Sequence, residues 1–371
     1  MNVRQLLSVL LIIACAIPAL ACSSLIASAD ATLSGRPILW KHRDTSATNN
    51  FLYRVEADTI AGHTYGFVAL FNGADSLTLD EAWMGMNDAG FAIMNTVAYN
   101  LAPNKRDWTD REGFIMAKAL AICAGVDDFA ALLDSLPKPL GVQTNFGVID
   151  AAGNGAYFET DDYKYQRFNL ADAPGGVLIR TNYAYSGTPD QGKGYIRHDN
   201  VKKVLESEIS TGSITPISLT DGVSRSFYNT VLGYDALATG DSWAVDMDFV
   251  PRHSSTASIA IEGILPGESP DKTMMWANIG YPPCSHTVAV TLSDIPAEVG
   301  PTSPEGAYSP MGLEAHRLMD KAFPINRGNG PKYVNLDVIR PINEDGYTTS
   351  LANYAKANAN RTTKKKKQTK P

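Results

Sequence analysis

The sequence has few charged residues, and this scarcity excludes several broad classes of protein. Of its 371 residues, 19% are charged and 44% are hydrophobic, so the chain can bury a substantial core. Lys and Arg number 32 against 39 Asp and Glu, which gives a net charge of −7. A charge-dominated disordered chain and a generally basic nucleic-acid-binding protein are therefore excluded, and no nucleic-acid partner is expected.

The sequence also lacks the common metal, nucleotide and serine-hydrolase motifs. Its six His residues form no H-E-x-x-H pair, and neither C-x-x-C nor G-x-S-x-G occurs. Residues 187–194 follow the phosphate-binding pattern G-x-x-x-x-G-K, but Gly194 stands where Ser or Thr is needed to bind magnesium. We therefore expect no metal site and no cofactor.

Long apolar runs are also absent, apart from one short run at the N-terminus. Residues 6–17 are apolar, follow Arg4, and lead to small residues at Ala19 and Ala21. Signal peptidase accepts this spacing of small residues, and the run is shorter than the roughly 20 residues that a bilayer span requires. We predict a signal peptide over residues 1–21 and an exported protein, either periplasmic or secreted.

Cleavage after Ala21 would make Cys22 the first residue, with a thiol and an α-amine on one residue. The reference pKa of that amine is about 8, so it can take the thiol proton and make Cys22 the nucleophile of an amide hydrolase. Two other roles remain open. The following Ser23 and Ser24 also fit a lipid-anchored Cys, although Ala19 stands where the lipid-attachment motif usually has Leu, and Cys22 can be a disulfide partner. Lipidation acylates both sulfur and amine, so it excludes catalysis.

The remaining cysteines leave a second question open. Cys15 leaves with the predicted signal peptide, so Cys22, Cys123 and Cys284 remain. An odd number of cysteines in an exported protein implies at least one unpaired thiol. Cys123 and Cys284 either pair and leave Cys22 free, or both are buried thiols.

Hydrophobic periodicity predicts an α+β domain. Blocks of strand pattern are separated by paired helices without a regular alternation of strand and helix, which favours a layered fold over a doubly wound sheet. We place one domain over residues 22–345. Residues 346–371 are rich in Asn, Ala, Thr and Lys, with six basic and no acidic side chains after residue 360, and are predicted to be a disordered tail. The predicted helices cover residues 112–124, 126–136, 195–207, 219–231 and 312–322.

Several segments, in order, resemble the Cys-type N-terminal-nucleophile (Ntn) hydrolases. These enzymes include choloylglycine hydrolase, penicillin V acylase and the acyl-CoA:isopenicillin N acyltransferase-like peptidases. The resemblance spans roughly residues 22–292. Its segments are residues 22–24 with 34–44, the G-M-N segment at 85–96, a central hairpin at 144–150 with 157–160, the T-N segment at 180–183, and the Arg-bearing strand entry at 252–258.

The resemblance implies a four-layer αββα sandwich with Cys22 as nucleophile. Asp44 matches the last residue of the family's Arg-Asn-x-Asp segment and would orient the Cys22 amine. Lys41 and His42 stand where the family has Arg and Asn. The cation that favours a thiolate near Cys22 would therefore be either Lys41 or Arg43, and Lys does not reproduce the bidentate contacts of Arg.

Three further site residues follow from the same resemblance. Asn182 matches the Asn of the T-N segment, whose side-chain amide would donate to the tetrahedral oxyanion, and losing such a donor typically costs about 3 kcal/mol. Asn95 is a looser match near the G-M-N segment. Each Asn also fits an ordinary turn or hydrogen-bonded core position. Arg252 would bind a carboxylate of the substrate or pair with an acid in the wall of the site.

These expectations combine into a hydrolase of linear amide C–N bonds that works through a thioester on Cys22. The alternatives are an acyltransferase, a dipeptidase, or a non-catalytic, lipid-anchored surface binding protein. The expected partner is a small-molecule amide, and a membrane is expected only if Cys22 is lipidated. Loops 57–63, 99–110 and 183–194 would select the acyl and amine groups. The sequence does not indicate an oligomeric state.

Overall fold

The described part of the chain contains antiparallel strands with helices packed against them. The structure is a computed structural model, and it describes residues 21–73, 78–101, 110–302, 308–328 and 330–368. The predicted signal peptide therefore lies outside the described residues, except for Ala21. The strands are β1 (Ala21–Ala27), β2 (Ile38–Asp44), β3 (Asn50–Val55), β4 (Phe67–Asn72), β5 (Met84–Asn87), β6 (Ala92–Val97), β7 (Thr144–Ile149), β8 (Gly155–Thr160), β9 (Tyr165–Asn169), β10 (Val177–Arg180), β11 (Tyr228–Asn229), β12 (Tyr234–Asp235), β13 (Trp243–Asp246), β14 (Ser255–Glu262), β15 (Met274–Ile279), β16 (Val288–Val290) and β17 (Lys332–Asn335).

The α-helices lie between and after the strands. The two predicted helices at residues 112–124 and 126–136 are present with slightly earlier ends, because Cys123 and Leu136 adopt extended backbone angles. The α-helices are α1 (Glu112–Ile122), α2 (Val126–Ser135), α3 (Tyr195–Val204), α4 (Glu206–Thr211), α5 (Pro310–Ala322) and α6 (Leu336–Gln368).

Two large sheets form the centre of the molecule. One has six strands in the order β10-β1-β2-β14-β15-β16, and the other has seven strands in the sequential order β3 to β9. In the hairpin of β1 and β2, Cys22 lies opposite Arg43 and Ser24 lies opposite Lys41. Because side chains alternate along a strand, these four side chains lie on one face of the six-stranded sheet.

The two sheets stack face to face, and helices cover both outer faces. Ile26 and Leu39 of one sheet pack with Val68 and Met94 of the other. Helices α1 and α2 pack on the outer face of the seven-stranded sheet, and α3 and α6 pack on the outer face of the six-stranded sheet around Trp276. The predicted α+β fold with four αββα layers is confirmed.

The helix predicted over residues 219–231 is wrong for most of its length. The structure has a short π-helical turn, Ser218–Val223, and the chain then enters β11. Ser224 Oγ donates to the Leu219 carbonyl at 2.9 Å, and Arg225 donates to the Asp221 carboxylate. Such side-chain contacts compete with regular helical hydrogen bonds, which explains the early end.

Residues 346–368 of the C-terminal segment 346–371, which was predicted to be a disordered tail, are part of a helix. Helix α6 runs through the expected domain boundary at residue 345 without interruption. Over residues 346–359, where side chains are described, α6 packs against the six-stranded sheet. The prediction of disorder is wrong for this part, and residues 369–371 lie outside the described residues.

Two side chains on one face of α6 explain why composition misled the prediction. Ser350 Oγ donates to Asp221 at 2.7 Å, and the ring of Tyr354 lies 4.8 Å from that of Trp276. These residues are four apart and therefore share a face of the helix. A polar and an aromatic residue form the contact, so no apolar stripe reveals it in the sequence.

The described cysteines are free and buried, which decides between the two alternatives for Cys123 and Cys284. Cys123 packs among α1, α2 and the seven-stranded sheet, whereas Cys284 packs in a separate cluster with Tyr281 and Phe323. Burial raises the pKa of both thiols to about 12. They are buried thiols and do not form a disulfide. No helix among the described residues is both long and apolar enough to span a bilayer.

Candidate active site

Cys22 lies near the start of β1, with both its main-chain groups held by buried side chains. It is 6% exposed. Its nitrogen donates to Asn182 Oδ1 at 2.9 Å, and its carbonyl oxygen accepts from Arg197 Nη1 at 2.7 Å. The β1–β10 pairing sets Ser24 opposite Arg180, so the chain that follows β10 brings Asn182 beside Cys22. The site is thus formed where β10 ends and α3 begins.

Arg197 fixes the orientation of the Asn182 side chain. Its Nη2 donates to Asn182 Oδ1 at 2.7 Å, and its Nη1 also donates to Ser23 Oγ at 3.0 Å. Because both neighbours of this Asn182 atom are donors, the atom must be the amide oxygen. The Asn182 nitrogen donates to the Val97 carbonyl at 2.9 Å. Asn182 therefore accepts from the Cys22 nitrogen here, and its role as oxyanion donor stays a prediction.

Arg197 was not identified from the sequence. It is 2% exposed, and burial lowers its pKa to about 10. Helix α3 is polar for most of its length and has no clear apolar face, so its inward residues cannot be assigned from periodicity. The only signal available was that an Arg closely follows the T-N segment.

Lys41 and Asn95, both predicted site residues, are in direct contact. Lys41 Nζ donates to Asn95 Oδ1 at 2.6 Å and to the Trp83 carbonyl at 2.9 Å. Burial lowers the pKa of Lys41 to about 8, and attraction to Cys22 partly offsets this effect. The contact joins the two sheets, because Lys41 belongs to β2 and Asn95 to β6.

Arg43 shares the Cys22 face with Lys41. Its guanidinium donates to Asn50 and Asn72, at 2.9 Å each, and lies 4.9 Å from the centre of the Trp83 ring. Burial lowers the pKa of Arg43 to about 10, and attraction to Cys22 again acts in the opposite direction. The structure therefore brings both candidate cations to Cys22.

Asp44 lies on the opposite face of β2 and is tied to Arg252. Its Oδ1 accepts from Ser255 Oγ at 2.6 Å, and its Oδ2 accepts from Arg252 Nη2 at 2.5 Å. Burial alone would raise its pKa, but Arg252 and His42 hold that pKa well below its usual value. The structure thus pairs Arg252 with an acid, which is one of its two expected roles.

The relation of Asp44 to the Cys22 amine is less direct than expected. In the β1–β2 ladder Asp44 lies opposite Ala21, the residue before Cys22. The Cys22 nitrogen itself donates to Asn182. The role of Asp44 in orienting the amine stays a prediction.

Tyr99 and Glu112 also border the site and were not identified from the sequence. Burial, together with Cys22, raises the pKa of Tyr99. Glu112 is 1% exposed, and neither of its oxygens has a well-formed hydrogen bond to the part of the chain described. Burial and the neighbouring Asp110 raise its pKa well above the usual value. Both residues were missed because neither belongs to a motif.

Four cations surround Cys22, and each is attracted to negative charge on it. They are Lys41, Arg43, Arg197 and Arg252. Cations in this position can stabilise negative charge that develops during a reaction at sulfur. No group of three potential His, Cys, Asp or Glu metal ligands occurs in the described ranges. The arrangement is suited to covalent chemistry at sulfur.

Comparison with solved structures finds chains of similar fold at low identity. A variant of conjugated bile acid hydrolase from Clostridium perfringens has 12% identity and a TM-score of 0.43, covering 73% of this chain and 92% of that one. The Caenorhabditis elegans ortholog of N-acylethanolamine-hydrolyzing acid amidase has 12% identity and a TM-score of 0.41, covering 67% and 96%. Penicillin V acylase from Agrobacterium tumefaciens has 13% identity and a TM-score of 0.40, covering 74% and 87%.

A scan against protein-family models and a search of curated proteins find no match. Penicillin V acylase is also among the enzymes that the sequence motifs resemble.

Proposed function

We propose that this protein hydrolyses linear amides, with Cys22 as an N-terminal nucleophile once residues 1–21 have been removed. The observation that carries the proposal is the contact between the Cys22 nitrogen and Asn182 Oδ1, which Arg197 fixes in orientation. After cleavage the same nitrogen is an α-amine. An acceptor that holds one N–H of the amine directs its lone pair, and the amine can then act as the base for its own thiol.

The reaction proceeds in two halves. The Cys22 sulfur attacks the amide carbonyl, the α-amine takes the thiol proton, and the amine then gives a proton to the leaving nitrogen as the C–N bond breaks. This leaves a thioester on sulfur and a free amine product. Water then adds to the thioester with the α-amine as base, and the carboxylic acid leaves as the sulfur regains its proton.

The cations and amides around Cys22 support the charges that develop in these steps. Lys41 and Arg43 share its face of the sheet, so they lie near negative charge on sulfur. Asn95 has one side-chain oxygen engaged by Lys41, while its nitrogen donates to Thr144 Oγ1 at 3.3 Å. We propose that Lys41 and Asn95 line the site and stabilise the charges that develop there.

Burial of Cys22 favours the enzyme over the lipid-anchored binding protein. A lipid anchor needs a Cys that stands clear of the fold, because both its sulfur and its amine become acylated. Here Cys22 is 6% exposed and its nitrogen is engaged by Asn182. Acyl transfer to an amine is chemically related, and an assay that offers an acceptor amine and compares the yield of transferred amide with that of free acid would separate it from hydrolysis.

Replacing Cys22 tests the proposal. The mature Cys22→Ala protein should lose at least about a thousandfold in kcat/KM towards whichever bile-salt, penicillin V, acyl-amino-acid or dipeptide amide the wild type cleaves. Cys123→Ala is the matched control, because it removes a buried thiol elsewhere and should retain activity. Wild-type rates in the Cys22→Ala protein, with its fold intact by circular dichroism, would refute the mechanism.

A further inference from the structure

The loop that presents Arg252 is closed by a side chain outside the motifs. Asp246, the last residue of β13, accepts the main-chain N–H of His253 on its Oδ2 at 2.8 Å. The contact spans the loop of residues 247–252. It brings the end of β13 to the entry of β14, just after Arg252.

Arg252 is held firmly on one side only. Its Nη2 donates to Asp44, whereas its Nε and the Oδ1 of Asp246 are buried without a hydrogen-bond partner in the described ranges. One of these atoms is a donor and the other an acceptor. The charges of Arg252 and Asp246 attract each other. Arg252 is thus attracted to two carboxylates and donates a side-chain hydrogen bond to Asp44.

Several charged or titratable groups surround Asp246. Burial raises the pKa of Asp246 to about 7, the His253 N–H and Arg252 act in the opposite direction, and the negative charge of Asp44 raises it further. Tyr281 faces the same space, because Asp246 contributes to the raised pKa of its phenol. From β17, Lys332 is the cross-strand neighbour of Asp246, and its ammonium donates to the Arg327 carbonyl.

We propose that Asp246 is a positioning residue for Arg252: in its ionised form it holds the Nε side of Arg252 and so completes a bridge from Asp44 to Asp246. When Asp246 gains a proton it keeps the contact with His253 but loses the charge that holds Arg252. The Asp44–Arg252 pair, and through it the site next to Cys22, then becomes sensitive to pH in the neutral range. The inference rests on the proposed function only for its effect on activity.

The Asp246→Asn variant separates a charge role from a structural one. It retains a side chain that can accept from His253 but cannot ionise. The wild-type to variant ratio of kcat/KM should rise about fivefold between pH 6 and pH 8. Over this range only the wild type gains a charged carboxylate at residue 246 that binds Arg252. Asp241→Asn is the matched control, because Asp241 is exposed and lies two residues before β13, and it should give a constant ratio. A constant ratio for Asp246→Asn would overturn the proposal.

A second measurement does not depend on activity. The folded-state pKa of Asp246 is above its unfolded value, so between about pH 4 and pH 7 the folded protein binds the extra proton. The unfolding free energy of the wild type should therefore fall, relative to that of Asp246→Asn, as pH rises through this range. The urea midpoint of the wild type minus that of Asp246→Asn should be lower at pH 8 than at pH 5. Equal midpoint differences at the two pH values would overturn the inference even in an active enzyme. An inactive wild type that still shows the shift would refute the proposed function alone.

Discussion

At the scale of single residues, Lys41 gives the site a group that can lose its charge. The enzymes that the motifs resemble have Arg at this position, and an arginine keeps its charge to a higher pH than a lysine in the same surroundings. Lys41 is buried against Asn95 and Trp83, and burial lowers its pKa to about 8. Its positive charge is therefore present below pH 8 and is lost as pH rises through that value.

The Lys41→Arg variant should extend activity to higher pH. The wild-type kcat/KM should decline above about pH 8 as Lys41 loses its proton, whereas Arg keeps its charge there, so the decline should move up by about one pH unit or more. Lys118→Arg, an exposed position on α1, is the control. If kcat/KM of the wild type and of Lys41→Arg declined at the same alkaline pH, the charge of Lys41 would not contribute to catalysis.

Some residues of the candidate site could be predicted from the sequence and others could not. Cys22, Asn182, Lys41 and Asn95 were predicted because each lies in a short motif, and the structure places Asn182 beside Cys22 and Asn95 beside Lys41. Arg197 was missed because its burial depends on how α3 docks, which is a tertiary property. The orientation of the Asn182 amide could also not be predicted from the sequence, since Arg197 determines it.

At the scale of elements, helix α6 shows where composition fails. Its lysine-rich end and low hydropathy are typical of a disordered tail, yet the middle of the helix contacts the buried Asp221 and Trp276. By contrast, the β1–β2 hairpin and the helices α1 and α2 follow from local patterns, because their apolar residues repeat at the spacing of the element itself. Elements that contact the core through isolated polar residues cannot be recognised in this way.

Two truncations test the packing of α6. A chain that ends at residue 345 loses the Ser350 and Tyr354 contacts and should lose about 3 kcal/mol or more of unfolding free energy in urea, or fail to fold. A chain that ends at residue 359 keeps both contacts and should match the full protein within about 0.5 kcal/mol. Equal unfolding free energies for the two truncated chains would show that the Ser350 and Tyr354 contacts do not stabilise the fold.

At the scale of the whole molecule, the sandwich assembles the site from distant parts of the chain. Cys22 comes from β1, Lys41 from β2, Asn95 from the other sheet, Asn182 from the connection that follows β10, and Arg197 from α3. The layered α+β class followed from the pattern of strands and helices, and the αββα order of the layers followed from the family resemblance alone. The strand order of each sheet and the cross-sheet contact of Lys41 with Asn95 required the structure, since long-range pairing leaves no local trace in the sequence.

The most direct test of the central claim is intact-protein mass spectrometry of the mature protein, acid-quenched during turnover of an amide substrate. We expect a chain that begins at Cys22 with a free α-amine. A fraction of it should carry the added mass of the acyl group on the Cys22 sulfur, and hydroxylamine should remove that mass. An active protein that begins elsewhere, carries a capped amine, or forms no acyl adduct at Cys22 under quenching would contradict the account.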